Sequence, residues 1–439
     1  MITMWAYESV FYQVYPMGFC GAPWENDGKT VNRISKVGDW AEHIASVGCN
    51  AIYFSPVFES DSHGYDTRDF RKIDCRLGTN GDFAAVCDTL HKNGVRVVLD
   101  GVFNHVGRGF WAFQDVQKNK WDSPYKDWFL INFDGNSNYN DGFWYEGWEG
   151  HYELVKLNLR NGEVIQHIFD CIRGWVEEFD IDGLRLDVAY SLDRDFIRRL
   201  RSFCDSLKPD FFLVGEIMSS DCKPFLEDGM LHSCTNYDCY KGLYSSFNSM
   251  NMFEITHSLQ RQFGPEYWTM YKGKHLLSFV DNHDVTRVAS ILTNEKHLPL
   301  IYALMIGMPG IPCIYYGSEW GEKAEKQHGS DANLRPCFEA PESNELTEWI
   351  AKLAKAKRES KALCYGDFTT RLLTNKQVIF ERAYEGERVM VAINADDQPF
   401  VAHFNAEAGR ARDLITGEVH DFGGGSELPP YYAAYWQVF

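Results

Sequence analysis

The chain has 439 residues, 45% of them hydrophobic and 24% charged, the make-up of a globular protein with a large core and an appendage. Its net charge of −19 argues against nucleic acid or an anionic membrane as partner, since both attract basic surfaces, and no run approaches the roughly 18 apolar residues of a membrane span. Twelve cysteines lack any Cys-x-x-Cys pair, and the first ten residues show neither the basic nor the apolar region of a signal peptide; both features read as reduced thiols in a cytoplasmic protein.

In chain order, short apolar runs alternate with helical patterns. The first two runs cover residues 10–16 and 51–57. Between them Ile34, Val37, Ala41 and Ile44 recur at helical spacing, with Gly48 placed to end the helix. Phe83, Val86 and Leu90 form a second helical stripe, closed by Asn93-Gly94, ahead of a third run at 95–100. Residues from about 107 to 160 break the rhythm, being rich in Asn, Asp, Gly, Trp and Tyr. Ile165, Ile168, Ile172, Trp175 and Phe179 then mark a long helix, followed by runs at 181–187, 211–217, 276–281 and 311–317. A weaker run at 234–240 completes a set of eight. Continuous apolar runs suit parallel strands buried on both faces, and eight of them alternating with helices predict an α/β fold, a (β/α)8 TIM barrel. From about 362 the pattern turns to period two, in 378–384, 389–394 and 431–439, separated by Gly386 and Gly423–Gly425; this predicts an antiparallel β-sandwich. The expected domains are a catalytic barrel from 1–106 and 161–361, an inserted subdomain at 107–160 after strand three, and a C-terminal β-domain at 362–439.

A barrel gathers its chemistry at the C-terminal ends of its strands. Strand three ends in Asp100-Gly-Val-Phe-Asn104-His105, strand four in Arg185-Leu-Asp187, strand five in Gly215-Glu216 and strand seven in Asp281-Asn-His283-Asp284. One such ending has a bland explanation, because Asp, Asn and Gly start loops; four converging on one rim are a site. Retaining cleavage of a glycosidic bond needs two carboxyl groups about 5–5.5 Å apart, one as nucleophile and one as acid/base. Asp187 and Glu216, on neighbouring strands, can supply them. Arg185 lies two residues before Asp187 and points to the same side of the strand, where its charge should keep Asp187 ionised. Glu216 needs a raised pKa in order to donate a proton, and Asp284 can stabilise an oxocarbenium-like transition state.

Taken together, these endings resemble the signature segments of the alpha-amylase family, glycoside hydrolase family 13, in residue type, order and strand placement. The resemblance implies Asp187 as nucleophile, Glu216 as acid/base and Asp284 as transition-state stabiliser. It implies that Arg185 holds the nucleophile, that His105 and His283 bind the sugar that is cleaved, and that Asp100 supports the rim. Tyr65, in His63-Gly-Tyr65-Asp-Thr, would stack on that sugar, and the pair Asp331 and Arg335 would grip it. Asn104 is similar to a residue that binds structural calcium in many amylases; the chemistry itself requires no cofactor.

Asp187-Val-Ala, Asp193-Arg-Asp-Phe-Ile-Arg-Arg and Leu154-Val-Lys-Leu-Asn resemble the cyclomaltodextrinase, neopullulanase and maltogenic amylase group. The N-terminal β-domain usual in that group has no counterpart ahead of the first strand. Where many secreted amylases carry Lys-His after the nucleophile, this chain has Tyr190 and Ser191. The implied activity is hydrolysis of alpha-1,4 bonds in maltodextrins, maltooligosaccharides or cyclodextrins. Transfer or isomerisation through the same intermediate is the alternative, and a non-catalytic carbohydrate-binding barrel the third. Asp134-Gly-Asn136-Ser-Asn138 begins like a calcium loop, but Tyr139 stands where glycine is required, so a polar turn is expected. Trp144, Tyr145, Trp148, His151 and Tyr152 either line a cleft or form the insertion's core. Oligomeric state leaves no signature.

Overall fold

The computed structural model describes residues 3–218 and 221–439. Its eight barrel strands are β1 (Phe11–Val14), β2 (Ala51–Phe54), β3 (Arg96–Gly101), β4 (Gly183–Leu186), β5 (Phe212–Gly215), β6 (Ser233–Cys234), β7 (Leu277–Phe279) and β8 (Ile311–Tyr315). They pair in parallel in the spatial order β6-β5-β4-β3-β2-β1-β8-β7. A parallel bridge between Thr235 and Leu277 joins the two outer strands, so the sheet closes into a barrel. The fold predicted from the apolar runs is the one present.

One correction concerns the sixth strand. The run at 234–240 was expected to be strand, but the strand is only Ser233–Cys234 with the single bridge at Thr235, and Tyr237–Asn248 is helical. The side chain of Asn236 accepts the Cys239 N–H and caps that helix, which ends the strand almost as it begins.

Strand periodicity decides what faces the barrel axis. Phe11, Ala51, Tyr53, Val98, Phe212, Val214, Leu277, Phe279, Ile311 and Cys313 make one inner cluster, while Tyr12, Ile52, Phe54, Val97, Leu99, Leu184 and Leu213 pack outward under the helices. The same alternation carries Asp100 and Arg185 inward at the upper end, where they pair directly across β3 and β4. The helices keep their expected places. Asn80–Lys92 starts with a capping box between Thr79 and Asp82, and Gly162–Phe179 buries the stripe from Ile165 to Phe179.

The insertion has its own small sheets. His105–Gly107, His151–Lys156 and Gly147–Trp148 form one, and Ile131–Asn132 with Trp144–Tyr145 another. Residues 134–142 are a polar turn in which Gly142 N–H and the Asn140 side chain satisfy Asn136. At the C-terminal end, a six-stranded antiparallel sheet and a two-stranded one follow the barrel. The helix Leu298–Gly307 is buried all round from Leu300 onward. It lies between the barrel and this sheet, whose Tyr435 hydroxyl donates to Ala303 O at 2.5 Å. Among the described residues no helix is long and apolar enough to cross a membrane.

Candidate active site

The register of β3, β4 and β5 builds the centre of the site. Arg185 sits opposite Asp100 on one side, and Leu186 sits opposite Gly215 on the other. The next residue on each of β4 and β5 is therefore Asp187 and Glu216, at one level above the barrel core. Gly215 makes this approach possible: a Cβ there would lie 2.4 Å from Leu231 Cδ1 and 2.8 Å from Ala189 Cβ.

Arg185 is 2% exposed and serves three carboxylates. Its Nη1 donates to Asp100 at 2.8 and 2.9 Å and to Asp187 Oδ1 at 2.8 Å; its Nη2 lies 2.8 Å from Glu216 Oε1. Arg185 does contact Asp187, but one guanidinium is shared three ways. Burial raises the pKa of Asp100, Asp187 and Glu216 above the ordinary carboxylate range, while Arg185 pulls each down and neighbouring carboxylates push back up. A single positive charge cannot hold three buried negative ones. The three carboxyl groups therefore titrate as one coupled set raised by burial, and the simple picture of Asp187 held low by its own arginine gives way to a shared one.

Asp284 has a different environment. His283 Nε2 lies 3.0 Å from its Oδ2, and Arg335 Nη2 donates to its Oδ1 at 2.8 Å. Depth in the cleft would raise its carboxyl; the His283 and Arg335 contacts outweigh that and hold it well below the usual range. A third of its side chain still faces the cleft. Arg335 also donates to His283 O and reaches Asp331 Oδ2 at 3.3 Å, so the Asp331 and Arg335 pair stands beside Asp284.

Tyr65 completes that wall. Its hydroxyl is 2.6 Å from His283 Nε2, and the two rings run nearly parallel at 5.8 Å. His105 is buried, with Nε2 3.9 Å from Asp187 Oδ2 and without a hydrogen-bond partner. Burial pushes its pKa down to about 3, leaving a neutral imidazole with a free nitrogen for a substrate hydroxyl. Every site residue expected at the rim thus gathers around one cleft.

Asn104 is the exception in role. Its Oδ1 is buried and unpartnered, and its Nδ2 lies 3.1 Å from His105 Nδ1. Calcium takes six to eight oxygen ligands. Amide and backbone carbonyl oxygens are among them, and the buried Oδ1 of Asn104 is an oxygen of that kind. Its backbone carbonyl accepts Leu157 N–H, which ties strand three to the far end of the insertion.

Four residues escaped the sequence reading. Tyr15, just after β1, packs its ring under the Arg335 guanidinium at 4.4 Å. Gln13 Nε2 lies 2.8 Å from His283 Nδ1. Both close a strand end, which was the available signal, but neither is ionisable like the residues singled out. Val188 adopts φ 39° and ψ 48°, a left-handed conformation costly for a β-branched residue, and its N–H donates to Glu216 Oε2 at 3.0 Å. Tyr190 follows, its hydroxyl donating to Glu149 Oε1 at 3.0 Å. The aromatic cluster of the insertion divides: Tyr145 is fully buried, whereas Trp144, Trp148 and Tyr152 line an open pocket of about 390 Å³.

The family model for the alpha amylase catalytic domain matches residues 13–361. The chain belongs to the alpha-amylase family. It is a glycosidase, and the family chemistry is hydrolysis of alpha-glucosidic bonds with retention, through a covalent glycosyl-aspartate. It is 29% identical to a cyclomaltodextrinase of Thermoanaerobacter pseudethanolicus, a match covering 97% of this chain and 77% of that one. It is 30% identical to an intracellular maltogenic amylase of Bacillus subtilis, over 88% of this chain and 68% of the relative. Among solved structures it is similar to the ligand-free cyclic alpha-maltosyl-(1→6)-maltose hydrolase of Arthrobacter globiformis, with a TM-score of 0.82, 26% identity and full coverage of both chains.

Proposed function

We propose that this alpha-amylase family member hydrolyses alpha-1,4 bonds of maltodextrins, maltooligosaccharides or cyclodextrins, with Asp187 as nucleophile and Glu216 as acid/base. The observation that carries this is the shared Arg185 guanidinium, which holds the two carboxyl groups side by side and short of charge. Glu216, raised by burial and by Asp187, gives its proton to the leaving glycosidic oxygen. Asp187, oriented by Arg185, attacks the anomeric carbon and forms the glycosyl ester. Glu216, now a carboxylate, takes a proton from water, and that water releases the sugar with its configuration retained. Asp284, kept ionised by His283 and Arg335, faces the positive charge that develops on the ring. Tyr65 and His283 form the floor and side of the cleaved subsite, and the free Nε2 of His105 meets a sugar hydroxyl.

No step needs a metal or cofactor in this reading. Twelve free thiols, eleven of them buried or half-buried, suit a reducing compartment, and a cytoplasmic location is part of the proposal. The test is a product profile on maltotriose, beta-cyclodextrin, pullulan, starch and the cyclic maltosyl-maltose named for the Arthrobacter relative. NMR of the first product from the best substrate should show the alpha anomer. A beta anomer as first product refutes the double displacement, and transfer products outrunning hydrolysis would replace the hydrolase reading with a transferase.

A further inference from the structure

The two walls of the cleft differ. One carries Tyr65, His283, Asp284 and Arg335, linked in sequence by hydrogen bonds and ion pairs. The other begins at Glu216, passes through the Val188 N–H to Tyr190, and crosses to the insertion at Glu149. In the reading above, Glu216 protonates the leaving group, so this second wall is the leaving-group side.

Glu149 is held there at a conformational cost. Trp148 pairs with His151 across an antiparallel hairpin, and the two residues of its turn, Glu149 and Gly150, have φ values of 47° and 87°. Such mirror-type turns favour Asn or Gly at both positions, yet a glutamate stands at the first. Its Oε1 takes the Tyr190 hydroxyl, and the residue is solvent-exposed. Trp148 behind it packs near His105, with ring centroids 5.8 Å apart, which fixes the hairpin against the nucleophile's neighbour. Beyond the turn, Trp144, Trp148 and Tyr152 open the 390 Å³ pocket, with Glu149 on its edge. A carboxylate beside aromatic faces suits a pyranose, whose hydroxyls need acceptors and whose ring face needs an apolar surface.

We infer that Glu149, clasped to Tyr190 on the leaving-group wall, determines leaving-group specificity by accepting hydroxyls of the glucosyl unit that departs. The inference rests on the assignment of Glu216 as acid/base. The clasp sets the position of Glu149 through one oxygen and leaves the other for the sugar. Tyr190 is a positioning residue in this scheme.

The test compares maltotriose, whose leaving group is a glucosyl unit, with 4-nitrophenyl alpha-maltoside, whose leaving group has no sugar hydroxyls. Glu149→Ala should lower kcat/KM on maltotriose by about tenfold more than on the aryl maltoside, the size expected of a hydrogen bond to a charged group. Most of that loss should appear in KM. Tyr190→Phe should shift the same ratio in the same direction, and Glu149→Gln, which still accepts the tyrosine hydroxyl, should shift it less. A ratio within twofold of wild type in both Glu149→Ala and Tyr190→Phe overturns the inference. So does an equal fall on both substrates accompanied by a lower melting temperature, which would make the clasp merely structural. Failure of the wild-type protein to release nitrophenol would instead count against the hydrolase reading itself.

Discussion

At the upper end of the barrel Arg185 is ringed by Asp100, Asp187 and Glu216. At the lower end, Lys357 and Arg382 are buried just as deeply, and among the described residues no carboxylate is in hydrogen-bond contact with them. Lys357 donates to Gly310 O and Leu363 O, and Arg382 to Gly307 O, Leu363 O and Gly366 O. Both ends pay for burying cations, but only one answers with ionisable partners. Backbone carbonyls cannot change protonation state, so the lower pair can tie the barrel to the C-terminal sheet and nothing more. Three carboxylates around one guanidinium can exchange a proton, and that makes the upper end chemical.

Breaking the upper cluster should have the largest effect. Asp187→Ala should lower kcat on the best alpha-glucan by about 10⁴-fold or more, measured by steady-state kinetics, with an unchanged circular dichroism spectrum. Glu216→Gln should cost about 10²–10⁴-fold on the same substrate, the range of a lost general acid, and much less on 4-nitrophenyl alpha-maltoside, whose leaving group needs little protonation. Equal losses on both substrates would argue against Glu216 as the acid.

Stability sharpens the contrast between the two ends. Arg185→Met leaves three carboxylates without their cation and should cost about 3–5 kcal/mol in urea unfolding. Lys357→Met strands only two carbonyls and should cost about 1–3 kcal/mol. The reverse order would mean that the lower cations carry more of the fold than their neutral partners suggest.

The remaining effects are those of pH. Burial, and then the charge of Arg382, push Lys357 down to about 7, below its unfolded value of about 10.4. Between those values the unfolded chain binds more protons than the folded one, so this group makes stability rise with pH from about 7 to about 10.4. The melting temperature of the wild type minus that of Lys357→Met should climb across that window. For activity, the raised pKa of Glu216 places the alkaline limb of kcat/KM above the ordinary carboxylate range, since the acid form is lost as pH rises through it.

How much of this could be read from the chain differs between fold and site. The barrel strands were legible because each is an apolar run buried on both faces. The sixth was not, because Ser233–Cys234 is two residues long and the run assigned to it is mostly helix. Asp187, Glu216 and Asp284 were legible as strand endings of the right chemical type. The three-way sharing of Arg185 was not, because it depends on the register that sets Arg185 opposite Asp100, a property of two strands separated by 85 residues. Val188 gave no warning either: a valine carries no local signal for a left-handed backbone, and only the surrounding packing imposes one. Glu149 and Tyr190 meet across 41 positions, and a hairpin with glutamate in its turn hides from turn chemistry that looks for Asn or Gly.

The most direct measurement is to trap the covalent intermediate. Glu216→Gln, incubated with 5-fluoro-alpha-glucosyl fluoride, should accumulate the glycosyl-enzyme, because fluoride leaves without an acid and the absent base slows release. Peptide mass spectrometry should then find the sugar on the peptide containing Asp187, and on its carboxylate. A label on Asp284 or Asp100, or steady fluoride release with no labelled peptide, would contradict the account.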